Sequence, residues 1–153
     1  MRLYSSVFEH NGEIPSQYTC EGSDTSPPLE WSGVPAGTES IALIVDDPDA
    51  PVSSAASQVW VHWVVFNLPK MTTGLPEGIR DLPKTGTHGK NSWKRAAYGG
   101  PCPPSGRHRY AFKLYALDAL VDLEQPTKEE LESAMQGHIV AQAALIGTYE
   151  KHG

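Results

Sequence analysis

Three segments of the 153-residue chain carry side chains suited to chemistry. The first is Asp46-Asp47-Pro48-Asp49-Ala50-Pro51, at the end of an apolar run. Its prolines fix their own φ and push the preceding residues toward extended geometry, so the turn is stiff. Strict alternation puts Asp47 on the face of Ile41, Leu43 and Val45, aimed at the interior or a pocket mouth. The plainer alternative is an Asx-type turn that caps backbone amides. The second is His62, within the run Val59 to Phe66 and, by alternation, on the face of Trp60, Val64 and Phe66. An imidazole loses basicity when desolvated and regains it beside a carboxylate or phosphate; a satisfied core histidine is the bland reading here. The third runs from Tyr98 to Tyr110, a Gly- and Pro-rich loop leading into a strand whose first same-face residues are His108 and Tyr110. Glycines let backbone approach a ligand, prolines stiffen the wall, and imidazole and phenol supply donors.

Together these place an acid, two imidazoles and a phenol at the ends of apolar strands. That set suits a small preformed pocket for an anion such as a phosphate monoester. A carboxylate there would repel phosphate, so Asp47 is expected to orient or protonate a histidine, or to meet an ammonium group of the ligand. The enzyme alternative is a metal-assisted hydrolase built on Asp47, Asp49, His62 and His108. Against it, no HxH or HxxxH pair occurs, and GxGxxG, P-loop, HExxH and GxSxG motifs are absent. Ser105, in Pro-Pro-Ser-Gly, reads as a turn residue rather than a nucleophile.

These groups must be positioned by strands. Ile41 to Val45, Val59 to Phe66 and Arg109 to Leu117 read as buried strands, and residues 11–38 as irregular surface or short edge strands. Thr127 with Glu130 fits a capping box that opens a helix, which Gly137 interrupts. Ile139, Gln142, Ala143, Ile146 and Tyr149 recur at helical spacing, predicting a second helical piece. The expected fold is mainly antiparallel β in one domain, residues 1–153, with one or two C-terminal helices.

The 14 glycines and 13 prolines fit a turn-rich β protein. A net charge of −6 and the lack of any Lys/Arg run argue against nucleic acid or an anionic membrane surface as partner. No apolar run approaches the ~20 residues needed to span a bilayer, and Met1 to Phe8 lack the features of a secretory signal. Cys20 and Cys102 therefore read as reduced thiols in a cytoplasmic protein, the alternative being that they meet in the fold and bridge. The strand Trp60 to Phe66 and the terminal helix are candidate surfaces for a homodimer.

The pattern resembles the phosphatidylethanolamine-binding protein family, also called the Raf kinase inhibitor protein family, and looks closest to its short bacterial and archaeal branch. Ser26-Pro27-Pro28-Leu29-Glu30-Trp31 resembles its SPPLxW element, Asp47-Pro48-Asp49-Ala50-Pro51 its DPDAP signature, and Gly106-Arg107-His108-Arg109-Tyr110 its GxHRY signature. Trp60 to Asn67 resembles its central tryptophan–histidine strand, although animal members tend to carry two adjacent histidines where this chain has Val61-His62. The resemblance implies a large central antiparallel sheet packed on a smaller sheet, with peripheral helices. It implies a shallow pocket for phosphate-type groups, lined by Asp47, Pro51, Trp60, His62, Pro104, His108 and Tyr110, with Cys102 beside them. The expected function is non-catalytic, regulatory binding of a phospholipid headgroup, phosphorylated small molecule or phosphorylated protein, without cofactor. Inhibition of a protease or kinase through exposed loops is the alternative that the resemblance also carries.

Overall fold

A computed structural model describes residues 1–50 and 59–151. In chain order the strands are β1 (Arg2–Tyr4), β2 (Gly12–Glu13), β3 (Leu29–Ser32), β4 (Ser40–Asp47), β5 (Trp60–Pro69), β6 (Gly74–Leu75), β7 (Thr87–His88), β8 (His108–Leu117) and β9 (Ile139–Tyr149), with helix α1 (Lys128–Met135) before the last strand. They form a six-stranded sheet in the order β2-β9-β8-β4-β5-β7 and a three-stranded sheet in the order β1-β3-β6. The two-sheet, mainly β architecture expected from the sequence is therefore present. The large sheet is antiparallel except for β2, which pairs parallel with β9.

β4 is buried along its whole length because both faces of the large sheet are covered. On one face Ile41, Leu43, Val45, Phe112 and Leu114 pack against Leu3, Leu29, Trp31 and Leu75 of the small sheet. On the other, Ala42, Ile44, Val64, Phe66 and Tyr115 pack against Leu131 and Met135 of α1. The predicted capping box closes α1: the Glu130 amide donates to Thr127 Oγ1 at 3.2 Å and the Thr127 amide donates to Glu130 Oε1 at 2.9 Å. Gly137, with φ of +83°, turns the chain out of the helix.

The second helical piece is not formed. Residues 139–149 are β9, antiparallel to β8 along its length, with Leu145, Gly147 and Tyr149 directed inward. Small residues hid the period of two: Ala143 and Gly147 share the inward row with Leu145 and Tyr149, while Val140, Ala144 and Ile146 lie on the outward row, so apolar contrast gave a false helical match. Gly147 is small for a packing reason, since a Cβ there would lie 2.5 Å from Ile14 Cγ1 and 2.9 Å from Phe8 Cε2. Gly147→Ala is expected to destabilise the fold by about 1–3 kcal/mol through overpacking, read as a lowered urea midpoint with unchanged slope.

Candidate functional site

The turn after β4 grips the first residues of β8. Asp47, only 3% exposed, accepts at Oδ2 from His108 Nδ1–H at 2.7 Å and at Oδ1 from the Asp49 amide at 2.8 Å. Asp49 in turn accepts from Arg109 Nε and backbone N–H at 2.9 Å and from Nη2 at 2.8 Å. That hydrogen-bonded guanidinium holds the Asp49 carboxyl down at about 2. The Asx-type turn and the inward carboxylate, two separate readings of this segment, thus coexist on Asp47. With the proton fixed on Nδ1, His108 keeps Nε2 available.

His62 owes its position to a bulge. Val45 of β4 pairs with Trp63 and Asp46 with Val61, so His62 is an extra residue of β5 at that step. The bulge turns His62 to the same side as Trp63, whereas Val64 and Phe66 lie on the α1 face. Strict alternation, which grouped His62 with Val64 and Phe66, fails for that reason. The freed imidazole donates from Nδ1 to the Gly99 carbonyl at 2.7 Å, and the Gly99 amide donates to the His62 carbonyl at 3.0 Å. Burial lowers the His62 pKa, against the opposing pull of the Gly99 carbonyl and the nearby aspartates. The neutral ring keeps Nε2 as an acceptor.

Tyr110 lies between the two histidines, its ring edge-on to His62 at 5.2 Å and stacked on His108 at 6.5 Å. The residue is 1% exposed, and its hydroxyl has no hydrogen-bond partner among the described residues. Burial, reinforced by Asp47, raises its pKa, so the hydroxyl stays protonated and remains a donor. An unpartnered buried hydroxyl costs roughly 1–3 kcal/mol.

These side chains line a cavity of about 410 Å³. Of the residues expected from sequence, it gathers Asp47, Trp60, His62, Cys102, Pro104, His108 and Tyr110; Pro51 lies outside the described residues. Sequence reasoning missed Asp24, Trp93 and Arg95, which complete the wall. Asn91 positions the last two: its Oδ1 accepts from the Trp93 and Arg95 amides at 2.9 and 3.1 Å, and its Nδ2 donates to the Ala97 carbonyl at 2.8 Å. Trp93 then packs edge-on against Trp60 and His62, both at 5.3 Å. A Cβ at Gly99 would lie 2.3 Å from that indole, so only glycine permits the packing. Asn91 and the cluster Trp93-Lys94-Arg95 were the available signals, but nothing in the local pattern tied them to His62.

Cys20 and Cys102 both line the cavity and form a disulfide, with Cα atoms 5.4 Å apart. The reduced-thiol reading is thereby corrected: sequence separation hid a contact made when the loop before β8 docks on the segment around Tyr18. Cys20 N–H donates to the Pro101 carbonyl at 3.1 Å, Gly100 N–H to Asp24 Oδ1 at 2.8 Å, and Tyr98 Oη–H to the Tyr18 carbonyl at 2.7 Å. Among the described residues, no three His, Cys, Asp or Glu side chains form a candidate metal-ion cluster, and no helix is long and apolar enough to cross a membrane.

The family profile described as Phosphatidylethanolamine-binding protein matches residues 4–150. The chain belongs to this family. A UPF0098 protein of Methanothermobacter thermautotrophicus is 50% identical over 155 residues, covering 99% of both chains. Among solved structures, a putative phosphatidylethanolamine-binding protein homolog from Chlamydia trachomatis superposes with a TM-score of 0.91 at 44% identity, covering 98% of this chain and 97% of that one. Escherichia coli YbcL, described as a new member of the mammalian PEBP family, gives 0.89 at 33% identity, with 98% of each chain covered. These likenesses span nearly the whole chain, so the family fold and the expected bacterial and archaeal kinship are both confirmed.

Burial lowers both the His62 and His88 pKa from the usual 6.5. The unfolded chain therefore binds protons first as pH falls, so this stability is intact above 6.5 and is lost below it. The expected slope is up to about 1.4 kcal/mol per pH unit for each ring, and His62→Gln should flatten it in a pH series of urea melts. Removing the disulfide, which closes a separation of 82 residues, should cost up to about 4 kcal/mol, measured on the Cys20→Ser/Cys102→Ser variant.

Proposed function

We propose that the cavity binds a phosphate-type oxyanion without transforming it. The carrying observation is the Tyr110 hydroxyl, buried, protonated and unpartnered, at a cavity wall shared with two histidines. A ligand oxygen supplies the acceptor that this donor lacks. His108 adds a donor at Nε2 when protonated, because Asp47 already holds Nδ1–H. Arg95 supplies a guanidinium, whose planar fork of donors matches the oxygens of such a group. Asp47 is turned to His108 and the Asp49 amide, so its charge is engaged within the protein rather than facing the ligand.

Binding rather than turnover fits the contents of the cavity. Both cysteines are bridged, and the one deeply held carboxylate is occupied on both oxygens. The family name points the same way: a phosphatidylethanolamine headgroup is a phosphodiester joined to an ammonium. The ligand class is thus a phosphate group on a small molecule, headgroup or protein side chain, with a regulatory role for the complex. A disulfide in the cavity wall favours an oxidising compartment over the cytoplasm expected from sequence.

The test is calorimetry and thermal unfolding with inorganic phosphate and phosphoethanolamine. Tyr110→Phe should weaken binding roughly 10- to 100-fold, the loss of one hydrogen bond to a charged group. In the ligand-free protein the same change should leave the midpoint unchanged or raise it, because it removes a hydroxyl that had no partner. Affinity unaltered by both Tyr110→Phe and His108→Ala would refute the reading.

A further inference from the structure

A second cavity, of about 550 Å³, lies on the other side of the wall formed by Asp24 and Arg95, and both residues line the two cavities. Its remaining polar lining includes Ser26, Arg80 and His88. Ser26 is 3% exposed and its Oγ has no hydrogen-bond partner among the described residues; the same holds for the buried Nε2 of His88. Directly behind, the Trp63 ring packs on His88 and Tyr98, two residues of the lining, and its buried Nε1–H also lacks a partner. Two of the buried polar atoms left without partners, Ser26 Oγ and His88 Nε2, therefore belong to residues that line one cavity, and a third, Trp63 Nε1, belongs to a ring packed on that lining. At its rim, neither Arg80 nor Arg95 forms an ion pair among the described residues. The one carboxylate of the lining, Asp24, accepts from the Gly100 amide at 2.8 Å.

We infer that this cavity is a second oxyanion site, in which Arg80 and Arg95 hold a phosphate-type anion over the Ser26 hydroxyl. Guanidinium supplies paired donors matched to the oxygens of such a group. The serine hydroxyl donates to a third oxygen or, through a bound water, links the anion to Trp63 Nε1–H and His88 Nε2. Two guanidiniums against one engaged carboxylate leave the lining positive, although the chain as a whole carries −6. The site differs in position and residues from the cavity of Tyr110, sharing only Asp24 and Arg95 with it. It stands whether or not that cavity binds phosphate.

The experiment is a titration of the ¹⁵N-labelled protein with inorganic phosphate at constant ionic strength. The Trp63 indole N–H and the Gly78 amide report on the second cavity, and the Trp60 and Trp93 indole N–H groups on the first. Phosphate is expected to move the Trp63 and Gly78 signals. Arg80→Ala, a change at an exposed side chain, should weaken that response at least ~10-fold and leave the Trp60 and Trp93 signals as they were. His108→Ala should do the reverse. The inference is overturned if Trp63 and Gly78 do not respond to phosphate, if they respond equally in Arg80→Ala, or if either substitution abolishes both sets of signals together.

Discussion

An ionised carboxylate removed from water is tolerated only when its oxygens are hydrogen-bonded. Asp47 meets that demand with two donors from different parts of the chain: the His108 imidazole across the sheet and the Asp49 amide two residues on. The first contact ties the end of β4 to the start of β8, and the second shapes the turn so that Asp49 reaches Arg109. Once His108 is fixed by its Nδ1–H, the ring plane and the location of Nε2 follow, and Tyr110 stacks beneath it. Removing Asp47 would release the histidine, the turn and the floor of the cavity together. Few other contacts in the molecule join so many parts of the site.

The neighbouring aspartate has the opposite task. Asp46 points through the sheet to the helix side, where its Oδ2 lies 2.7 Å from Lys113 Nζ and 3.1 Å from Lys128 Nζ. Lys128 is the first residue of α1, so this buried pair sets where the helix begins on the sheet. Consecutive carboxylates thus serve opposite faces, as side-chain alternation along a strand requires. Removing both lysines would leave an uncompensated buried charge on Asp46, a larger penalty than the loss of a surface ion pair. The strand end is constrained from both faces, which gives the cavity a rigid base.

Legibility in the sequence tracked the range of the interactions. The buried strands and the capping box were readable because contrast between apolar and polar residues, or a three-residue spacing, is a local property. Asp47, His108 and Tyr110 were readable because each sits at a strand end in a stiffened or alternating context. β9 was misread because alanine and glycine carry little contrast. His62 was placed on the wrong set of neighbours because a bulge cannot be seen in one strand alone; it is a mismatch between two. Arg95 and Trp93 were invisible for the same reason, and the Cys20–Cys102 bridge was legible only as the second of two alternatives, being contacts between loops whose docking depends on the completed sheet.

On the proposed reading, an acidic chain that offers cavities to anions involves two length scales. A net charge of −6 acts at long range and disfavours polyanionic surfaces such as nucleic acid, where many charges meet the whole face of the protein at once. That repulsion is screened beyond roughly 8 Å at physiological ionic strength. Inside the cavity, a small anion would meet instead donors at contact distance: a guanidinium, an imidazole and the buried hydroxyl of Tyr110. Hydrogen bonds there are stronger than at the open surface because the surroundings screen less. On the proposed reading, selectivity for a compact phosphate group over an extended polyanion arises from this division, with the acidic surface excluding the second while the cavity admits the first.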